Sequence, residues 1–295
     1  LFYTDGTTVW NKNHDVMPNG TDLKGHFSSS QSAIIVPSPG NSNIYYIFTA
    51  NYEAHDGIYY NILDLSLDDG FGDIATKNIL LITPAGEKLT AVKHANGTDI
   101  WVVVHDSTND ALLAYLVTAT GVVTSPVISD IGFVMNYSNE GPSKEIILGY
   151  LKASPDGTKM AICHRHIGAD LFDFNSTTGV LSSPVRLIEG GSLYYGVEFS
   201  PNSSVLYISD FDEGIYQFNL NAADITASKL LITPEKERSG AMQLAIDGKI
   251  YMSFANSELR VINNPDVLGL GCNFGYSGID LSPGSCALGL PPFIQ

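Results

Sequence analysis

The chain has 295 residues, with 15 Lys and Arg against 31 Asp and Glu, for a formal net charge of −16. A field of that sign repels phosphate backbones and anionic lipids, which argues against nucleic acid binding and direct membrane insertion. Hydrophobic residues make up 44% of the chain, enough for a large core, and no run approaches the ~20 apolar residues of a spanning helix.

Short apolar segments rich in β-branched and aromatic residues follow one another along the chain. Residues 1–11, LFYTDGTTVWN, indicate two strands of a unit whose first strand would lie upstream of Leu1. Fuller units then repeat, each with a strand, a tight turn such as SPDG or SPNS, a second strand and a third. A fourth strand, PVRLI or KLLI, follows in two of them. These units begin near residues 32, 89, 150, 195 and 241.

The repeat period determines the predicted fold. Matching positions at Lys93, Lys152, Glu198 and Gln243 are 59, 46 and 45 residues apart, near the ~40–50 residues of a propeller blade. We predict an all-β fold, a seven-bladed β-propeller of four-stranded antiparallel blades, as one domain over residues 1–295. The C-terminal CALGLPPFIQ would supply an inner strand and close the ring with N-terminal strands, which leaves two blades incomplete in this chain.

The same four positions are the main candidate site. Inner strands of a propeller line a central channel, and alternate side chains point into it. The side chains of Lys93, Lys152, Glu198 and Gln243 could therefore form a polar ring. Such a ring either holds a small ion or ligand, or is a structural network that satisfies its own charges.

Other polar groups give weaker signals. His164 and His166 are two residues apart, but no metal-binding motif accompanies them. Asp-rich segments at 67–73 and 209–214 suggest calcium as an alternative, although Asp and Gly also favour tight turns. We predict no metal and no other cofactor.

The three cysteines lack the paired spacing of a zinc site. Cys272 and Cys286 flank a segment rich in Gly, Ser and Pro, and in an oxidising compartment they could form a disulfide that closes this loop. Cys163 lies in the apolar run MAIC, which favours a buried thiol over a nucleophile.

Phrases along nearly the whole chain resemble a known family, among them EKLTAVKHANGTDIWVVVH, GYLKASPDGTKMA, YGVEFSPNSSVLY and VINNPDVLGLGCNF. They resemble the propeller regions of Bacteroidetes cell-surface proteins that are exported by type IX secretion and associated with gliding motility. The resemblance implies an extracellular or outer-membrane location, further domains of a longer parent protein and a role in adhesion. It supplies no catalytic residues. Asp106-Ser107-Thr108 resembles the O-glycosylation acceptor of such bacteria and makes Ser107 a candidate.

No GxSxG elbow and no Gly-rich phosphate loop occurs in the sequence. We therefore predict a non-catalytic binding or display module that contacts a protein or glycan through its loops, with Tyr52, Tyr137 and Phe211 as candidate contacts. The alternative is a metal-dependent hydrolase or lyase of the lactonase type with its site at the central channel. Lysines at the matched positions would repel a divalent cation there.

Overall fold

A computed structural model describes residues 1–52, 56–134, 146–233 and 239–295. Within these ranges the secondary structure consists of strands and three short 3₁₀ turns, at Asp68–Gly70, Thr226–Ser228 and Gly269–Cys272. None of the helical segments described is long or apolar enough to cross a membrane. The prediction of an all-β chain is confirmed.

The N-terminal half contributes three sheets. The first pairs β1 (Tyr3–Thr4) with β2 (Val9–Trp10). The second is an antiparallel meander of β3 (Ala33–Ser38), β4 (Asn41–Ala50), β5 (Ile58–Asp64) and β6 (Asp73–Ile82). The third comprises β7 (Ala85–Lys93), β8 (Ile100–Asp106), β9 (Ala111–Thr118), β10 (Gly121–Val122) and β11 (Val127–Asp130), with both β10 and β11 paired to β9.

Three four-stranded meanders follow in chain order. The first is β12 (Leu151–Ala153), β13 (Lys159–His164), β14 (Gly168–Asn175) and β15 (Val180–Glu189). The second is β16 (Tyr194–Phe199), β17 (Val205–Asp210), β18 (Gly214–Asn219) and β19 (Leu230–Thr233). The third is β20 (Met242–Leu244), β21 (Ile250–Met252), β22 (Glu258–Ile262) and β23 (Phe274–Asp280).

The chain divides into two compact units. Unit 1 comprises Leu1–Ser138, Asn175–Leu181 and Pro292–Ile294, and unit 2 comprises Asn139–Phe174, Ser182–Pro291 and Gln295. The single domain over residues 1–295 stays a prediction.

Each unit has its own apolar core, built from side chains that share one face of neighbouring strands. In unit 2, Phe199, Leu206 and Phe218 are directly opposite one another on β16, β17 and β18, and all three are fully buried. Because side chains alternate along a strand, these pairings fix the register that also orients the polar residues between them.

Neighbouring backbone segments of unit 2 approach one another closely at two glycines. A Cβ atom added to Gly196 would lie 2.4 Å from the carbonyl oxygen of Gly240, and one added to Gly240 would lie 2.4 Å from that of Leu288. Only glycine permits such an approach of two backbones.

The C-terminal segment departs from the prediction. The Leu288 carbonyl accepts a hydrogen bond from Ala241 N at 2.7 Å, much as the Tyr195 carbonyl accepts one from Tyr150 N at 2.9 Å. Residues 286–295 nevertheless form no strand. The segment therefore lies alongside β20 where an inner strand was expected, without extending the sheet.

Candidate functional site

Three of the four predicted ring residues come together in unit 2. Lys152, Glu198 and Gln243 occupy the same register position on β12, β16 and β20. The Lys152 ammonium donates to the Glu198 carboxylate at 2.9 Å and to the Gln243 side-chain oxygen at 2.5 Å. All three side chains are buried.

The remaining polar atoms of this cluster are also paired. The Glu198 carboxylate accepts hydrogen bonds from the backbone N–H groups of Phe199 and Leu244, each at 3.0 Å. Gln243 Nε2 donates to the Leu244 carbonyl at 2.9 Å. Because charges and donors satisfy one another, the cluster favours the structural network over an ion-binding ring.

Lys93 is not equivalent to the other three. The turn bond from His94 N to the Asp99 carbonyl matches the bond from Ser154 N to the Lys159 carbonyl, so Lys93 corresponds to Ala153 and Val92 to Lys152. A shift of one residue moves a side chain to the opposite face of a strand. Lys93 is accordingly exposed at the end of β7 in unit 1, and its placement in the ring is corrected.

The predicted disulfide is absent, because all three cysteines are free thiols. Cys272 is fully buried beside the hydroxyl of Tyr207, and burial raises the pKa of its thiol. Cys286 instead donates to the Asn256 carbonyl at 3.3 Å. Cys163 is buried, as predicted.

Ser107 has no exposed surface, so its hydroxyl is not accessible for glycosylation on the folded chain, which corrects that prediction. Among the candidate contact aromatics, Tyr52 is exposed, but Phe211 is buried in the core of unit 2. Tyr137 lies outside the described residues.

The two histidines occupy different settings. His164 ends β13, is fully buried and lies 3.8 Å from an oxygen of Asp170, whose other oxygen accepts from Arg186 Nε at 2.6 Å. His166 lies in the following turn with a φ of 66° and is half-buried. They do not share a strand face, because His166 lies in the turn that follows β13.

A different constellation lies beside that turn in unit 2. The Ser192 hydroxyl donates to Asp210 Oδ1 at 2.5 Å, and the Ser192 carbonyl accepts from His166 N at 3.0 Å. Ser192 is half-buried, whereas Asp210 has no exposed surface. A partly accessible hydroxyl that donates to a buried carboxylate has the geometry that a nucleophile and its base require.

The environment of Asp210 changes its acidity. Burial raises the pKa of this carboxyl most, the hydrogen bonds from Ser192 and Asp212 lower it, and the nearby charges of Glu213 and Asp212 raise it again. The net result is a raised pKa, which makes the group a better proton acceptor once it is ionised.

Two tyrosines lie at the same end of β17. Tyr194 is directly opposite Asp210 in the strand register, and burial, followed by the charges of Asp210 and Glu213, raises its pKa to about 12. Tyr216 donates its hydroxyl to the Glu213 carboxylate. Tyr194 is therefore a protonated hydroxyl at neutral pH.

Unit 1 contains a further buried polar cluster at a β-bulge. The pairing of β7 with β8 skips from Ala85–Asp106 to Leu89–Val104, and the bulged residues include Glu87 and Lys88, both fully buried. Burial raises the pKa of Glu87 to about 8, although its carboxylate accepts from both the N–H and the hydroxyl of Ser30. Bulges often occur near functional sites.

Within the described ranges, no three His, Cys, Asp or Glu side chains come together as ligands for one metal ion. The Asp-rich segment at 67–73 forms an exposed 3₁₀ turn, consistent with the turn chemistry proposed for it.

The sequence did not reveal Ser192, Tyr194 or Glu87 as candidates. Ser192 lies 18 residues from Asp210 in a GGS segment typical of a loop, and no short motif joins them. The acidic composition did mark the segment 209–214, but as a calcium alternative or as turn chemistry.

The repeated four-stranded antiparallel sheets define an all-β protein of β-propeller-like fold. Neither a family model nor a curated protein matches the chain. Solved structures match it in fold. A streptogramin B lyase has 15% identity and a TM-score of 0.51 over 88% of this chain and 73% of its own. A putative 6-phosphogluconolactonase from Bacteroides fragilis NCTC 9343 has 14% identity and a TM-score of 0.52 over 86% and 71%. The periplasmic gluconolactonase of Pseudomonas aeruginosa has 12% identity and a TM-score of 0.50 over 88% and 76%.

At these identities the likeness shows the fold alone. The predictions of a non-catalytic binding or display module and of a chain that is not an enzyme are corrected on this point: the propeller-like fold is also that of named enzymes, so it gives no ground for excluding catalysis. Three of the solved structures of similar fold are named as a lyase and two lactonases, the class that the sequence analysis gave as its alternative.

Proposed function

We propose that the chain is an enzyme that opens a cyclic ester, a hydrolase or lyase of the lactonase kind, with Ser192 and Asp210 as its catalytic pair. The observation that carries the proposal is the 2.5 Å hydrogen bond from a half-buried hydroxyl to a fully buried carboxylate. The lyase and lactonase activities named for proteins of similar fold support the same class.

In the proposed hydrolysis, Asp210 accepts the proton of Ser192 as the serine oxygen attacks the lactone carbonyl carbon. The ring C–O bond breaks, the departing ring oxygen takes that proton, and an ester to Ser192 forms. Water then attacks the carbonyl carbon of this ester while Asp210 accepts its proton, the bond from that carbon to the Ser192 oxygen breaks, the serine oxygen takes the proton back from Asp210, and the hydroxy acid leaves. Tyr194 offers a protonated hydroxyl at the same end of the strand, suited to the oxygen that gains charge.

The test measures ring opening of neutral lactones, such as γ-butyrolactone and δ-gluconolactone, by the acid released. Ser192→Ala and Asp210→Asn are each expected to lower kcat by roughly 100-fold or more. The control is Asp247→Asn, because Asp247 is an exposed turn carboxylate. An Asp210→Asn variant with the parental rate, or a parent protein that opens none of these lactones, would refute the proposal.

Two further readouts separate the versions of this chemistry. Hydrolysis in ¹⁸O-labelled water places the label in the product carboxylate, whereas elimination by a lyase leaves the product unlabelled. Rates after dialysis against a chelator, with and without added Ca²⁺, test the metal-dependent version.

We also propose that the sheets belong to seven blades. Five sheets of four or five strands, the pair β1–β2, and a blade that includes the C-terminal segment beside Ala241 would make this number. A crystal structure of a longer chain tests the count. The family resemblance, type IX export, an extracellular location and a protein or glycan partner stay proposals that rest on the sequence phrases, and fractionation of the source cells tests the location.

A further inference from the structure

We propose that the Ser192–Asp210 site selects lactones that carry a positively charged amino group. The inference rests on the proposed function, since it assigns the substrate class of that same site.

The turn between β17 and β18 places two more carboxylates next to the catalytic pair. Asp210 and Gly214 face each other in the strand register, so Asp212 and Glu213 lie in the three-residue turn that joins them. Asp212 N donates to Asp210 Oδ1 at 2.9 Å, which fixes the turn against the carboxylate. The side chains of Asp212 and Glu213 are exposed at the mouth of this turn.

Asp210 itself contributes a charge that is paired with no basic side chain in the described ranges. Its Oδ1 accepts from Ser192 and from Asp212 N, while its Oδ2 is buried and has no hydrogen-bond partner in the part of the chain that the structure describes. A buried carboxylate oxygen without a donor leaves a strong negative potential, because the low dielectric of the interior screens it poorly.

Among the described residues, two basic groups near this turn contact aromatic rings. Arg165 Cζ lies 5.7 Å from the ring centre of Phe211, and Lys229 Nζ lies 4.1 Å from that of Tyr216. The charged groups that shift the pKa of Asp210 are both acidic. Asp210, Asp212 and Glu213 outnumber the two basic groups, so the described part of the site is net negative.

This field acts differently on different lactones. A ring with an ammonium group is attracted and gains an N–H donor for the acidic groups, whereas a phosphorylated or carboxylated ring meets like charge. A neutral lactone is affected least. The order of preference expected is amino, then neutral, then anionic.

The experiment compares kcat/KM for α-amino-γ-butyrolactone, γ-butyrolactone and a carboxylated γ-butyrolactone, at a pH that keeps the amine protonated. The amino lactone is expected to be preferred over the neutral one by about tenfold, and the preference should shrink as salt is added. In the double variant Asp212→Asn/Glu213→Gln the ratio of the two rates should fall toward one, whereas Asp247→Asn should keep it. Equal rates on amino and neutral lactones, or a ratio unchanged in the double variant, would overturn the inference.

Binding of lactams, which the enzyme does not open as esters, separates this inference from the proposed function. Calorimetry compares 3-amino-2-pyrrolidinone with 2-pyrrolidinone on the parent protein and on the double variant. If no lactone is opened but the amino lactam binds more tightly through Asp212 and Glu213, the cation preference stands and the lactonase proposal is wrong. If lactones are opened without preference and neither lactam is favoured, this inference alone is wrong.

Discussion

The Lys152 ammonium lies 2.9 Å from the Glu198 carboxylate, although 46 residues separate them along the chain. The two side chains are 1% and 0% exposed. Each belongs to the first strand of a sheet, β12 or β16, and each is held further by hydrogen bonds to the third sheet of unit 2. The ion pair and these hydrogen bonds thus join three sheets of unit 2 at their first strands.

Removal of one partner should leave an uncompensated buried charge. Lys152→Met is expected to lower the free energy of unfolding by about 3–5 kcal/mol, measured by urea denaturation. The matched control is Lys159→Met, which removes a partly exposed ammonium 2.8 Å from Asp173 and should cost no more than about 1 kcal/mol. Equal losses of unfolding free energy in the two variants would show that burial does not determine how much the Lys152–Glu198 pair contributes to stability.

The pH dependence of lactone opening should reflect Asp210. The base must be ionised, and its pKa is raised, so the acidic limb of kcat/KM should lie above the ordinary aspartate pKa of about 4. Asp212→Asn removes a like charge, which lowers the pKa of Asp210 and should move the limb to lower pH. In the control Asp247→Asn the acidic limb should not move. An acidic limb that also stays in place in Asp212→Asn would argue against Asp210 as the base.

Glu87 should make stability depend on pH. Its pKa is raised from 4.5 to about 8, so between these values the folded chain holds a proton that the unfolded chain has lost. The contribution of this group is complete below 4.5 and is lost as pH rises through about 8. Glu87→Gln cannot ionise, and its free energy of unfolding should fall less over this window than that of the parent. If the free energy of unfolding, measured by urea denaturation, changed equally with pH in the parent and in Glu87→Gln, this expectation would be contradicted.

His105, in the same sheet, acts in the opposite direction. Burial, and then the charge of Lys88, lowers its pKa from 6.5 to about 3. Its contribution is present above 6.5 and is lost as pH falls toward 3, so it sets the acidic side of the stability profile. The comparison of Glu87→Gln with the parent should therefore be made above pH 6.5, where His105 is neutral in both the folded and the unfolded state.

The close approach of the backbone at Gly196 to the backbone at Gly240 gives a packing test. Gly196→Ala places a methyl group 2.4 Å from the Gly240 carbonyl oxygen, and the backbones must separate. The expected loss of stability is about 1–3 kcal/mol. Gly191→Ala serves as the control, because a Cβ there meets nothing within 4 Å and its φ is not positive. A thermal or urea midpoint equal for both variants would be inconsistent with this packing.

Several features were predictable because they depend on local pattern and on repetition. Alternating apolar residues and turn sequences such as SPDG predicted strands and hairpins, and their recurrence predicted four-stranded sheets. The repeat also brought Lys152, Glu198 and Gln243 together correctly. The predicted position of Lys93 was wrong by one residue, because Val92 and not Lys93 corresponds to Lys152. A shift of one residue moves a side chain to the opposite face of a strand.

The catalytic candidates were not predictable in this way. Ser192 and Asp210 meet because β16 and β17 pair with a bulge after Tyr194 and because the turn after β13 packs on Ser192. The acidity of Asp210 likewise depends on burial, which no residue type specifies.

By itself, the sequence determined the strand-forming segments, the acidic surface and the repeated meander, because these follow from the side-chain period and from turn residues. Only the tertiary structure decided which polar side chains lose water and which find partners. Buried polar groups acquire altered pKa values from burial and from neighbours that are distant along the chain. The raised pKa values of Asp210 and Glu87 therefore depend on how the sheets pack, and residue type alone does not distinguish these two from the other 29 acidic residues.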